Sequence, residues 1–175
     1  TASAQYPGWQ HAGSCYILTT PEGANLPPTA SEEGFALLLR LDKDSFDFNQ
    51  ALAKGEDLRF ATAGTALAYQ VEAWDAAAAT ANIWVRIPVI KGNAHQKIDM
   101  FWGKADAKSE SNGKLVFNDS NGYLSVWHMD DEAARDEVGT LEAKDLGTTA
   151  VAGVIGHGRH FEPGKGINCG EKITT

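Results

Sequence analysis

The sequence predicts an all-β protein, an antiparallel β-sandwich of jelly-roll type with one short helix. Three observations predict it. Apolar or alternating segments of strand length recur along the chain, Gly-, Pro- and Asn-containing turns separate them, and almost no stretch carries a helical period. At 175 residues the chain can bury a full core without a metal or a disulfide. Its hydrophobic share of 43% with 22% charged residues is that of a globular protein.

Taken in order, Cys15-Tyr16-Ile17-Leu18 reads as a strand closed by Thr19-Thr20-Pro21, and Phe35 to Leu41 as a second. Phe48 to Lys54 reads as the one helix, with Asp47 placed to cap its start and Gly55 to end it. Leu58 to Ala61, Tyr69 to Trp74, Asn82 to Pro88 and Lys97 to Trp102 follow as strands, bounded by turns such as Ala63-Gly64 and Gly92-Asn93. The run Ala76 to Ala79 suits a helical turn or a plain loop. Strands at this spacing argue for a sandwich and against a parallel α/β sheet.

Composition changes over Ala105 to Asn121, where Lys, Ser, Asn and Gly dominate, and this reads as linker chemistry. The expected division is a β-sandwich module over 1–118 and the beginning of a second β domain, expected to be incomplete, over 119–175. In the second, Tyr123 to Met129 reads as a strand and Asp130 to Asp136 as an acidic loop or helical turn. Short Gly-punctuated strands follow, and Glu171 to Thr175 reads as the start of another.

The formal net charge is −8, and the fifteen Lys and Arg form no stripe, so nucleic acid is a poor partner. No apolar run approaches the roughly 18 to 20 residues of a membrane helix, so direct insertion by this segment is not expected. The chain begins without Met, and Ala2-Ser3-Ala4 resembles the end of a cleaved secretory signal. In an oxidising compartment Cys15 and Cys169 can pair if their Cα atoms come within about 7 Å, restricting the unfolded chain by up to about 5 kcal/mol. Two buried free thiols are the alternative.

The motifs Asp57-Leu58-Arg59-Phe60, Leu67-Ala68-Tyr69-Gln70-Val71-Glu72, Ile83-Trp84-Val85-Arg86-Ile87-Pro88 and Met100-Phe101-Trp102-Gly103 occur in that order. Over about Ala12 to Asn118 the chain resembles a secreted bacterial family known as domain of unknown function 2341. Beyond it, Ser125-Val126-Trp127-His128-Met129, Asp136, Gly147-Thr148-Thr149 and Gly153-Val154-Ile155-Gly156 with His160-Phe161 resemble the opening of a laminin-G or concanavalin A-like domain. The resemblance implies an extracytoplasmic module, secreted, periplasmic or at the cell surface, in a larger protein whose neighbouring domains are its partners. It supplies no activity.

The strand registers suggest a binding face. If Ile83, Val85 and Ile87 face the core, Asn82, Trp84 and Arg86 face outward, and by the same alternation Gln70, Glu72 and Trp74 lie opposite Tyr69, Val71 and Ala73. Adding Arg59, and Asp99 with Phe101, gives rings flanked by charged and amide groups. Such a surface suits a polysaccharide, because rings stack on the C–H face of a pyranose while Arg59, Gln70, Glu72 and Arg86 address hydroxyls around Trp74 and Trp84. The competing reading places both tryptophans in the core, with Arg59 and Glu72 paired beneath. A structural or protein-interaction module is the alternative function.

Catalytic constellations are missing from the sequence: Glu72 and Asp75 point to opposite faces of a strand, and there is no nucleophile elbow. No enzymatic activity is therefore expected. His157 and His160 lack companions for a zinc set. No cofactor is expected, though Asp42, Asp44 and Asp47 leave calcium open; turn formation and helix capping explain the same residues. Gly153 to Gly158 reads as a hairpin turn.

Overall fold

Antiparallel pairing organises the chain into strands of two to twelve residues joined by turns. The computed structural model describes residues 5–130, 134–139 and 141–170. The expectations for Ala2-Ser3-Ala4, for Asp131-Glu132 and for Glu171 to Thr175 fall outside those residues. The chain divides into two compact units, Thr1–Val116 and Phe117–Thr175.

The first unit contains β1 (His11–Leu18), β2 (Ser31–Asp42), β3 (Arg59–Thr62), β4 (Thr65–Leu67), β5 (Tyr69–Asp75), β6 (Thr80–Lys91) and β7 (His95–Trp102). One antiparallel sheet has the order β1-β7-β3-β4 and the other the order β2-β6-β5. Phe60, Ile98 and Met100 from the first meet Leu41, Tyr69, Ile83, Val85 and Ile87 from the second in one apolar core. The all-β sandwich predicted from the sequence is thus present. Fully burying one such aliphatic side chain contributes about 1.5–3 kcal/mol, and β6 sends Ile83, Val85 and Ile87 into that core.

Turn chemistry fixes the registers. Ala63 and Gly64 both have positive φ, 47° and 81°, and close the two-residue hairpin between Thr62 and Thr65, where glycine adopts that conformation without strain. Asp75 accepts from the Ala78 N–H, so Ala76 to Ala79 is the loop of the β5–β6 hairpin. The expected helix Phe48 to Lys54 shrinks to a single 3₁₀ turn, Phe48–Gln50. Asp47 caps it as expected, but Ala51 is already extended and the Leu52 N–H is captured by the buried Asp57 carboxylate, which competes with a helical acceptor.

The Ser- and Asn-rich segment expected as linker is docked within the first unit. Asn112 N donates to Tyr69 O at 2.8 Å, Val71 N to Ser111 Oγ at 2.9 Å and Glu110 N to Tyr69 Oη at 3.3 Å. A short α-helix, α1 (Gly113–Val116), then lies against β5 and β6.

Among its described residues the second unit holds two two-stranded antiparallel sheets, β8 (Lys144–Asp145) with β11 (Ile167–Asn168) and, between them in sequence, the hairpin of β9 (Thr149–Ala152) with β10 (His157–His160). Arg159 ties the first to the second through Asp145 at 2.9 Å and Thr148 Oγ1 at 2.9 Å. The expected strand Tyr123 to Met129 does not form. Val126 exchanges its bonds with Asp136 Oδ1 and Glu137 N, a side chain and a single amide, and Met129 has φ 60°, which ends the extended run.

Candidate functional site

The predicted face is split by one irregularity in β5. Pairing with β6 runs Gln70 to Trp84 and Val71 to Ile83, then resumes at Ala73 to Asn82 and Trp74 to Ala81. Glu72 is the extra residue of a β-bulge, and past it the alternation is inverted. Gln70, Glu72, Trp84 and Arg86 therefore share the outer face of the three-stranded sheet, while Trp74 turns inward beside Ala81. There it packs on Phe48 and Phe46, at ring separations of 4.9 and 5.8 Å. Its ring lies so close to Gly55 that a Cβ there would come within 2.8 Å. Its indole N–H is buried without a partner.

Trp84 donates its indole N–H to Glu72 Oε2 at 2.6 Å, and Arg86 donates to Leu115 O at 3.3 Å, so these polar atoms hold the sheet and α1 together.

Arg59 belongs to the other sheet and is only 4% exposed. Its guanidinium donates to Leu58 O, Glu56 O, Lys108 O and Tyr69 Oη, pairs with Glu110 at 2.9 Å and lies 5.2 Å from the centre of the Trp9 ring. It is paired with Glu110 and not with Glu72, and it pins β3, the Trp9 segment and the 108–110 segment. Burial raises the Tyr69 phenol, against the opposing pull of Arg59, so it stays protonated and bridges Arg59 to Leu58 O. Phe101 is buried under Tyr6.

Both cysteines are free thiols, the alternative the sequence left open beside their pairing. Cys15 points into the sandwich and packs on its core. Burial raises its thiol above the usual range. The carboxylates of the calcium alternative form the turn and the helix cap, the other use expected of them. Asp42 Oδ1 accepts from Asp44 N, Ser45 N and Ser45 Oγ, and Asp47 Oδ1 is taken by Asn49. Among the described residues no three His, Cys, Asp or Glu converge to hold a metal. His157 and His160 are both exposed on β10, three residues apart and so on opposite faces.

Two open grooves flank the Phe48–Gln50 turn and share Asn49. One, of about 500 Å³, is bordered by Lys43, Asp44 and Asp47 over Phe46 and Phe48; the other, of about 320 Å³, by His11, Gln50, Asp57 and Lys104. Phe46 and Phe48 are spent on the core, leaving no ring face for stacking. Asp57, fully buried, accepts from Leu52 N at 2.9 Å, Gly103 N at 2.6 Å and Lys104 N at 3.3 Å. These groups build loops.

The outer face of the four-stranded sheet offers a different arrangement. Along β1 the exposed row is Ala12, Ser14, Tyr16 and Leu18, and Tyr16 is 59% exposed. Across the pair with β7, Tyr16 faces Lys97 and Ser14 faces Asp99. Asp99 Oδ1 accepts from Ser14 Oγ at 2.8 Å and from Lys97 Nζ at 2.7 Å. Burial is the strongest single influence on the Asp99 carboxyl and pushes it up, but the bonds from Lys97 and Ser14 together outweigh it and hold the group below its usual range. The same bond raises the Lys97 ammonium, so both are charged at neutral pH. An exposed ring thus stands beside a fixed carboxylate–ammonium pair, the ring-and-polar-handle chemistry expected of a sugar platform. Asp99 was legible as a candidate. Tyr16, Ser14 and Lys97 were missed, because the outward row of β1 is distinguishable only once its partner, some 85 residues away, is known.

Fold and surface define an all-β sandwich module with a polar, aromatic-bearing sheet face. Residues 54–132 match the family model described as Domain of unknown function (DUF2341). All four ordered motifs lie inside that span. No curated protein and no solved structure matches the chain.

Proposed function

We propose that the first unit is a non-catalytic carbohydrate-binding module of a larger secreted or cell-envelope bacterial protein, which it helps to hold on a polysaccharide. The observation that carries this reading is Tyr16, a largely exposed ring on a rigid sheet beside the Ser14–Asp99–Lys97 network. An exposed tyrosine offers a flat apolar face to a pyranose, and the charged neighbours offer an acceptor and donors for its hydroxyls. A weak site of this kind acts by retention, raising the effective concentration of linked domains near the glycan. The non-catalytic reading is supported by the carboxylates at the grooves: Asp57 and Asp47 are occupied by backbone amides and turn groups, and Asp44 pairs with Lys43. With a net charge of −8, nucleic acid is a poor partner. No helix among the described residues is long and apolar enough to cross a membrane. The second unit, with its short hairpins, is proposed to be of the laminin-G or concanavalin A-like kind.

Affinity electrophoresis through gels containing plant, algal and bacterial polysaccharides tests the proposal. Retardation of the wild type by at least one glycan, abolished by Tyr16→Ala, is expected; retardation by none refutes it. A protein-interaction module is the second reading, favoured by the exposure of Leu124, Val154 and Phe161 in the second unit. Under that reading no gel retards the chain, and Phe161→Ser with Val154→Ser weakens self-association measured by sedimentation.

A further inference from the structure

We infer that the Tyr16 face selects a neutral pyranose with two adjacent hydroxyl groups, a specificity that rests on the glycan-binding reading of the same face. Asp99 uses one oxygen, Oδ1, for both Ser14 and Lys97, and among the described residues no donor reaches Oδ2. Oδ2 is an acceptor held in place by its neighbour's bonds. Lys97 gives one of its three N–H groups to Asp99, and its side chain is 52% exposed, so the others face outward. A carboxylate oxygen beside an ammonium matches neighbouring hydroxyls: one donates to Oδ2 while the next accepts from Nζ, and both bonds are charge-assisted.

The pleat sets the span. Residues directly opposite on paired strands stand about 5 Å apart and diagonal neighbours about 7–8 Å apart. Tyr16 is opposite Lys97 and diagonal to Asp99, so one sugar ring can lie on the tyrosine while its hydroxyl edge reaches the pair. An acidic sugar fits poorly. Its carboxylate or sulfate would meet Asp99, whose charge already neutralises Lys97, on a chain of net charge −8. A deoxy sugar lacking one of the two hydroxyls would leave Oδ2 or Nζ facing an apolar carbon.

The test is affinity electrophoresis of the whole chain in two sets of gels, neutral (glucan, xylan, galactomannan) and acidic (polygalacturonate, alginate, carrageenan). Tyr16→Ala, Asp99→Asn and Lys97→Met are run beside the wild type, with circular dichroism as a check on folding. Retardation confined to neutral gels and weakened about tenfold or more by each substitution is the expected result. Stronger retardation in acidic gels overturns the specificity and leaves glycan binding standing, as does loss with Tyr16→Ala but not with Asp99→Asn or Lys97→Met. Retardation indifferent to all three removes the site. No retardation in any gel overturns both readings. The wild-type preference between gel sets needs no variant, so a substitution that fails to fold does not shield the inference.

Discussion

Replacing Asp57 by alanine would remove the acceptor that ties the Leu52 loop to the Gly103–Lys104 segment. Its carboxylate receives the N–H groups of Leu52, Gly103 and Lys104, and its own carbonyl receives the Trp9 indole. Each buried donor left without an acceptor costs about 1–3 kcal/mol. Gly103 N, at 2.6 Å, is the shortest of the three contacts, and Lys104 N, at 3.3 Å, the weakest. Leu52, Gly103 and Lys104 border the 320 Å³ groove, so water can reach part of the vacated space and lower the sum. A net loss of about 3–4 kcal/mol results, a large share of a domain's usual 5–15 kcal/mol. At a urea slope of about 2 kcal/mol/M this lowers the midpoint by about 1.5–2 M. Urea unfolding followed by tryptophan fluorescence measures it, with Asp57→Asn intermediate because it keeps one acceptor. A midpoint for Asp57→Ala within about 0.3 M of the wild type, under 1 kcal/mol at the same slope, would show that the carboxylate does not hold these loops.

Gly55→Ala should destabilise by about 2 kcal/mol or more, because the new Cβ meets the Trp74 ring at 2.8 Å and φ is +67°; the thermal midpoint checks it. The depressed Asp99 carboxyl gives stability that is fully present above its unfolded value near 4 and is lost as pH falls through the lower folded value. The urea midpoint of the wild type should therefore fall further on acidification than that of Asp99→Asn; parallel curves would show that Asp99 contributes nothing to the pH dependence. Thiol titration of the denatured chain, purified without reductant, should count two free thiols. A count of zero would restore the Cys15–Cys169 bridge.

The sandwich was legible because the inward rows of β6 and β7, Ile83-Val85-Ile87 and Ile98-Met100, alternate cleanly and the turns carry their own chemistry at Ala63-Gly64. The binding face was legible only in part. Parity along β5 holds as far as Glu72, and no residue type announces the bulge that sends Trp74 into the core. Asp47 was rightly placed as a cap, yet the helix it starts ends after one turn because Asp57, 5 residues past Leu52, folds back to take the Leu52 amide. The docked segment 105–116 read as linker because Ser, Asn and Gly serve a loop and a side-chain-to-backbone contact equally well; only the open edge of β5 decides between them. Arg59 was visible as an unusual charge among apolar residues, but its partner Glu110 lies some 50 residues on.

If Tyr16 offers its ring to a glycan, removing that ring must release the chain from it. Affinity electrophoresis of the wild type and Tyr16→Ala, with Trp84→Ala beside them, tests it most directly. Glycan-dependent retardation that Tyr16→Ala abolishes and Trp84→Ala, remote from the site on the other sheet, leaves in place is expected; retardation lost with Trp84→Ala and kept by Tyr16→Ala would remove Tyr16 as the site.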